Sequence, residues 1–125
     1  MLPEPSRLHR SSEFSDTVRH GRRTGRRDVV VHVRIRDDAS TLVSPVGARF
    51  GLVINKAVGP AVIRHRVARR LRHVCSSLVP LVSTDVDVVL RALPGSATAT
   101  SAELERQVAS GLRKLGGLSA DRERQ

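Results

Sequence analysis

Aromatic side chains are almost absent from this chain: Phe14 and Phe50 are the only two, with no tryptophan or tyrosine. That scarcity counts against an RRM-type surface, which needs several rings to stack bases. Cys75 is the single cysteine, so an intrachain disulfide is excluded. With no catalytic context around it, Cys75 reads as a small core filler in a reducing compartment. No stretch approaches the roughly 18 apolar residues of a membrane span. The start Met-Leu-Pro-Glu-Pro-Ser-Arg lacks the apolar core of a signal peptide, so no membrane association and a cytoplasmic location are expected. Lysine is nearly missing as well, with only Lys56 and Lys114, and no acidic residue lies between Lys56 and Pro80.

What remains is arginine. Lys plus Arg total 22 against 12 Asp plus Glu, a net charge of +10 on 125 residues. Self-repulsion on that scale is relieved when a polyanion neutralises it. Arginine's planar fork suits bidentate contact with phosphate. GC-rich coding would favour arginine equally, so the excess charge, rather than the choice of arginine, points to nucleic acid. The length allows one domain.

Patterning predicts the elements. Ser11 and Ser12 before Glu13, Phe14 and Val18, with Gly21 after, read as a short helix capped by serine and stopped by glycine. After the basic stretch 22–27, the β-branched run at 29–36 reads as a strand, residues 50–54 as a second across the polar loop 37–47, and 85–92 as a third. The basic stretch itself allows a further short strand. A later helix starts at Thr100 or Ser101, Thr100 with Glu103 fitting a capping box, and carries Leu104, Val108, Leu112 and Leu115 on one face before Gly116 and Gly117.

The earlier long helix holds the charge. Pro60 suits its first turn, and it is predicted over 61–77. At about 100° per residue, Ile63, Val67, Leu71, Val74 and Leu78 fall within roughly 80° of one another. Arg72, His65, Arg69, His73 and Arg66 fall opposite, between roughly 180° and 300°. Arg64 and Arg70 sit at the two borders, where a long stem can lie on apolar neighbours. Solvated helix faces normally mix acids among their bases, because like charges three and four apart repel. Here no acid relieves Arg66, Arg69, Arg70 and Arg72, and nucleic-acid phosphates would turn that repulsion into attraction.

Taken in order, Arg49-Phe-Gly-Leu-Val-Ile-Asn-Lys56, Gly59, Arg64-His65-Arg66, Arg69-Arg70 and Arg72 resemble the signature region of the bacterial ribonuclease P protein family. In that family a strand leads through a lysine and a glycine into a helix bearing an Arg-Asn-Arg motif. His65 replaces the asparagine, Ala68 stands where lysine is usual, and Pro60 where asparagine is common. The resemblance extends from Arg7 to about Leu115, giving a domain over 7–117, an N-terminal segment 1–6 and a flexible tail 118–125. It implies an α+β single-domain two-layer α/β sandwich, ordered αβββαβα, with a left-handed βαβ crossover. It also implies that the catalytic centre lies in an RNA subunit, where magnesium drives removal of the 5′ leader from precursor tRNA, and that this chain binds no cofactor itself. RNA contact is then expected at Lys56, Arg64, His65, Arg66, Arg69, Arg70, Arg72 and His73. A leader cleft between sheet and first helix is expected at Phe14, His32 and Arg91. Val18 and His32 stand where relatives carry aromatics.

Two rivals share parts of the pattern. A basic ribosomal-type or RNA-chaperone protein would show the same charge without any link to tRNA. A nuclease using His20, His32 or His65 as acid and base is chemically possible, but no motif brings two of these histidines to one bond. Asp85 and Asp87 point the same way from a strand, a weak metal signal without further ligands, so no metal site is assigned.

Overall fold

The computed structural model describes Leu2 and residues 6–36 and 47–119. Their elements are α1 (Ser11–His20), β1 (Arg22–Gly25), β2 (Val29–Ile35), β3 (Arg49–Val53), α2 (Ala61–Leu78), β4 (Val86–Ala92) and α3 (Ser101–Lys114). The order αβββαβα agrees with the expectation, and the short strand allowed in the basic stretch is β1. Most of the polar loop and of the C-terminal tail lies outside the described residues.

The four strands form one sheet in the order β1-β2-β4-β3. β4 pairs antiparallel with β2 and parallel with β3, so β3, α2 and β4 make the βαβ unit. Because β4 is central, both of its faces are covered, and all but Arg91 of its residues are buried. β2 is valine-rich for the same reason: Val29, Val31 and Val33 face the helical layer with Phe50, Val88 and Leu90, where α2 contributes Val67, Leu71 and Val74 and α3 contributes Leu104, Val108 and Leu112. Each of these helix side chains is 0–1 % exposed. Burial of each is worth about 1.5–3 kcal/mol.

The helix ends show which sequence signals were met. Thr100 caps α3 through the expected box, its hydroxyl accepting from Glu103 N–H at 3.1 Å while Glu103 accepts from Thr100 N–H at 3.0 Å. The serine cap expected for α1 is replaced. Arg10 is the cap residue, and Glu13 reaches back to accept the N–H groups of Arg10 and His9 at 2.9 and 3.1 Å. Gly21 does follow α1 as its C-cap residue, where a Cβ would lie 2.4 Å from the Val33 carbonyl oxygen.

The outer segments pack against this frame. Arg7 bridges to Phe50 and Leu8 N–H donates to the Phe50 carbonyl at 2.9 Å, covering the free edge of β3. Leu2 is buried. Beyond α3 the chain returns to pair Leu118 with Val82, and Leu118 packs on the core.

Candidate nucleic-acid interface

The turn that launches α2 is built by three neighbours. Asn55 Oδ1 accepts the Ala57 N–H at 3.0 Å, capping the 3-10 turn Lys56–Val58. Gly59 then takes φ 153°, in the left-handed half of backbone space that favours glycine, and Pro60 caps the helix. From that start the α2 wheel runs as the periodicity requires. His65, Arg66, Arg69, Arg72 and His73 are exposed, while Val67, Leu71, Val74 and Cys75 are buried. Burial pushes the Cys75 thiol up to about 12, leaving it inert.

Arg66, Arg69 and Arg72 recur every third residue along one side of α2. Among the described residues none of them has a hydrogen-bond or acidic partner. His65, Ala68, Arg69, Arg72 and His73 line a depression of about 510 Å³. The border arginines are partly occupied. Arg64 Nε donates to the Gly59 carbonyl at 3.2 Å, and Arg70 Nη1 donates to the Ala99 carbonyl at 2.9 Å, tying α2 to the segment before α3.

α1 crosses the opposite face of the sheet. The register sets three rows of side chains on that face: Arg49, Asp87 and Arg34; then Gly51, Val89, His32 and Arg23; then Val53, Arg91, Val30 and Gly25. α1 is fastened over the first row. Asp87 is fully buried and holds both Arg36 and Arg49, Arg49 also holds Glu13, and Arg34 lies 3.9 Å from Asp16. In the second row the Phe14 ring sits over Gly51, lining a hollow of about 160 Å³ with Leu8, Leu52 and Arg72. Arg72 therefore lines both this hollow and the depression on the α2 face.

The three expected cleft residues are thus brought to one sheet face, but in different states. Phe14 is half-buried, Arg91 is exposed, and His32 is only 2 % exposed, with Nδ1 buried and unpartnered. Burial, then the charges of Arg91 and Arg23, hold the His32 pKa below its ordinary value. Val18, one turn beyond Phe14, is 45 % exposed. Arg23 shares the face with His32, a position concealed in the sequence by the adjacent arginines. Lys56 and Arg91 both lie towards the ends of the parallel strands where α2 begins, so the helix start and the sheet face share one end of the domain.

Among the described residues no group of three or more His, Cys, Asp or Glu side chains is placed to hold a metal ion. Asp87, one of the two strand carboxylates, is engaged by arginines, and Asp85 precedes β4. His20, His32 and His65 lie on three different elements, α1, β2 and α2. No helix among the described residues is long and apolar enough to cross a membrane.

Fold and surface together define a class: a small, strongly basic α+β domain with a row of unpaired arginines on one helix and a partly covered sheet face beside it. The sequence pattern of the family described as Ribonuclease P matches residues 2–116, and the chain belongs to that family. It is 65% identical over 115 residues to the ribonuclease P protein component of Rhodococcus jostii, covering 92% of each chain. To that of Mycobacterium avium it is 49% identical over 115 residues, 92% of this chain and 95% of the other. The Staphylococcus aureus RNase P protein superposes with a TM-score of 0.71 at 17% identity, over 87% of this chain and 94% of that one. The RNase P protein of Thermotoga maritima gives 0.68 at 16%, over 83% and 92%. The chain is accordingly a subunit of the ribonuclease P endoribonuclease with a role in tRNA 5′ maturation, and it associates with the RNase P RNA. Membership decides against the ribosomal-type reading.

Proposed function

We propose that the exposed face of α2, with Lys56, Arg64, His65, Arg66, Arg69, Arg70, Arg72 and His73, docks on the RNase P RNA, and that the α1 side of the sheet receives the 5′ leader of precursor tRNA at Phe14, His32 and Arg91. The observation that carries this reading is the row Arg66, Arg69, Arg72, exposed, unpaired among the described residues, and opposite the buried stripe Val67, Leu71, Val74 and Leu78. A buried stripe fixes the arginines on a rigid support, so their charge is presented from one side of the helix. Arg70 acts from the border with the N–H groups left free by Ala99. Residues 7–117 make the functional domain, and the role in tRNA maturation goes with a cytoplasmic location.

On this reading the protein holds and orients RNA, while magnesium-dependent hydrolysis belongs to the RNA subunit. Neutralising phosphates near the scission site lowers the cation concentration the RNA needs. The test is reconstitution with RNase P RNA. The wild-type chain is expected to restore precursor-tRNA cleavage at low magnesium, and a variant with Arg66, Arg69 and Arg72 replaced by glutamine to restore far less. Equal rescue by both would overturn the assignment of α2 as the docking face.

A further inference from the structure

We propose that Val62, His65, Arg66 and Arg69 form a seat for one unstacked nucleobase of the RNase P RNA at the start of α2. The inference rests on the reading of this helix face as the docking surface, and it adds an apolar, base-directed contact to those made with phosphates.

Val62 is 70 % exposed, more than any other large hydrophobic side chain among the described residues. With Ile63 at zero, about 100° per residue puts Val62 near 260°, inside the arc of roughly 180° to 300° that the basic residues hold. An isolated apolar residue on a surface is ordinary. Val62 is set apart by its neighbours. His65 and Arg66, one turn on, and Arg69, two turns on, line a depression of about 340 Å³ together with it. That size falls within the roughly 300–1,000 Å³ of pockets that take small organic ligands. All three neighbours are exposed, and none of them has a hydrogen-bond or acidic partner among the described residues.

A face that meets only phosphates gains from a cation at every exposed position, and a valine in its middle adds nothing to that attraction. A base needs something else: an apolar patch to rest on and planar groups to stack against. The His65 imidazole and the guanidinium groups of Arg66 and Arg69 are planar, and both kinds of group stack on RNA bases that have left their helix. Val62 supplies the apolar patch, since its methyl groups pack on a ring and form no hydrogen bond. A regular duplex keeps its bases stacked, so the seat favours a bulge or a loop. Lys56 and Arg72, outside the seat, remain for neighbouring phosphates.

Binding of the full chain is measured to the RNase P RNA and to a regular RNA duplex of similar length, which offers phosphates but no free base. Val62→Ser removes the apolar surface at an exposed position of nearly equal helix propensity, so the fold is retained, as circular dichroism verifies. It is expected to weaken binding to the RNase P RNA about fivefold, while duplex binding and the salt slope stay unchanged. Val62→Arg is expected to weaken binding to the RNase P RNA despite its added charge and to tighten binding to the duplex. Unchanged affinity of Val62→Ser for the RNase P RNA, or tighter binding of it by Val62→Arg, overturns the seat. Equal losses on both RNAs overturn it too, because the contact is then with sugar and not with a free base. Arg72→Gln keeps the two readings apart. If it weakens binding to the RNase P RNA and flattens the salt slope, the docking face stands whatever Val62 does; if it changes neither, the docking face falls and the seat with it.

Discussion

Arg49 grips Asp87 through two parallel hydrogen bonds, Nε to Oδ1 at 2.9 Å and Nη2 to Oδ2 at 2.8 Å. The carboxylate is fully buried and also takes Arg36, itself nearly buried, whose other N–H groups reach the carbonyls of Val86, Gly47 and Thr84. Desolvating a carboxylate is costly, and two guanidinium groups offset the cost here. Since Arg49 also holds Glu13, the same cluster fixes α1 across β3 and β4. Asp87→Ala removes the buried carboxylate that both Arg36 and Arg49 hold and is expected to lower stability by about 3–5 kcal/mol. Urea unfolding measures this, and a loss under about 1 kcal/mol would show that the cluster contributes little.

Reversing charge on the α2 face should change RNA binding without changing the fold. Arg66 and Arg69 are exposed and touch no acid among the described residues, so Arg66→Glu with Arg69→Glu removes no internal contact. The expected result is weaker association with the RNase P RNA and a salt slope shallower by roughly 1.8, at about 0.9 per duplex phosphate contact. Leu71→Ala is the complement: the side chain is 0 % exposed, so a loss of about 2–5 kcal/mol in stability is expected with the salt slope retained. Slopes that respond to Leu71 and ignore the arginines would invert this picture.

Gly51 and Phe14 share one space. A Cβ on Gly51 would lie 2.4 Å from Phe14 Cε2, so Gly51→Ala must push the ring off the sheet. In an ordinary strand the same change would stabilise by about 0.5–1 kcal/mol. Here a loss of about 1–3 kcal/mol is expected, together with weaker leader binding. Phe14→Ala in the same chain should relieve the clash, so the two substitutions together should be less damaging than their sum. Strict additivity in denaturation would show that the ring is not held there.

The α2 face was readable because one helix carries both of its halves: the stripe Ile63 to Leu78 and the opposing arginines need only the 3.6-residue period. The βαβ unit was implied by the family resemblance, with which the order of strands and helices was compatible. The sheet face was harder, because its rows join residues from four strands. Arg23 meets His32 only through a register that turn geometry and burial set together, and nothing in the run Arg22-Arg23 distinguishes one arginine from the other. Asp87 read as half of a carboxylate pair on one strand, with Asp85. Its partners lie 51 and 38 residues away, beyond the reach of any local pattern. Arg70 was placed at the border of the basic face by its angle, and only tertiary packing reveals its bond to Ala99.

Acid should weaken the fold in two stages. His32 has a folded pKa below its ordinary 6.5, through burial first and then Arg91 and Arg23. Below 6.5 the unfolded chain therefore binds a proton that the folded chain refuses, and stability falls as pH drops towards the folded value, by at most about 1.4 kcal/mol per pH unit for one proton. Glu13 follows lower down. Burial raises its pKa, but the N–H groups of Arg10 and His9, and then Arg49, outweigh burial and hold it below 4.5. Its stabilisation is complete above 4.5 and is lost as pH falls through the depressed value. His32→Leu is expected to flatten stability just below pH 6.5 while leaving the drop below 4.5 in place. Arg49→Met should do the reverse, diminishing the lower drop. Urea midpoints at about pH 7, 5.5 and 4 separate the two. An unchanged slope between the upper pair in His32→Leu would show that this histidine does not set the first stage.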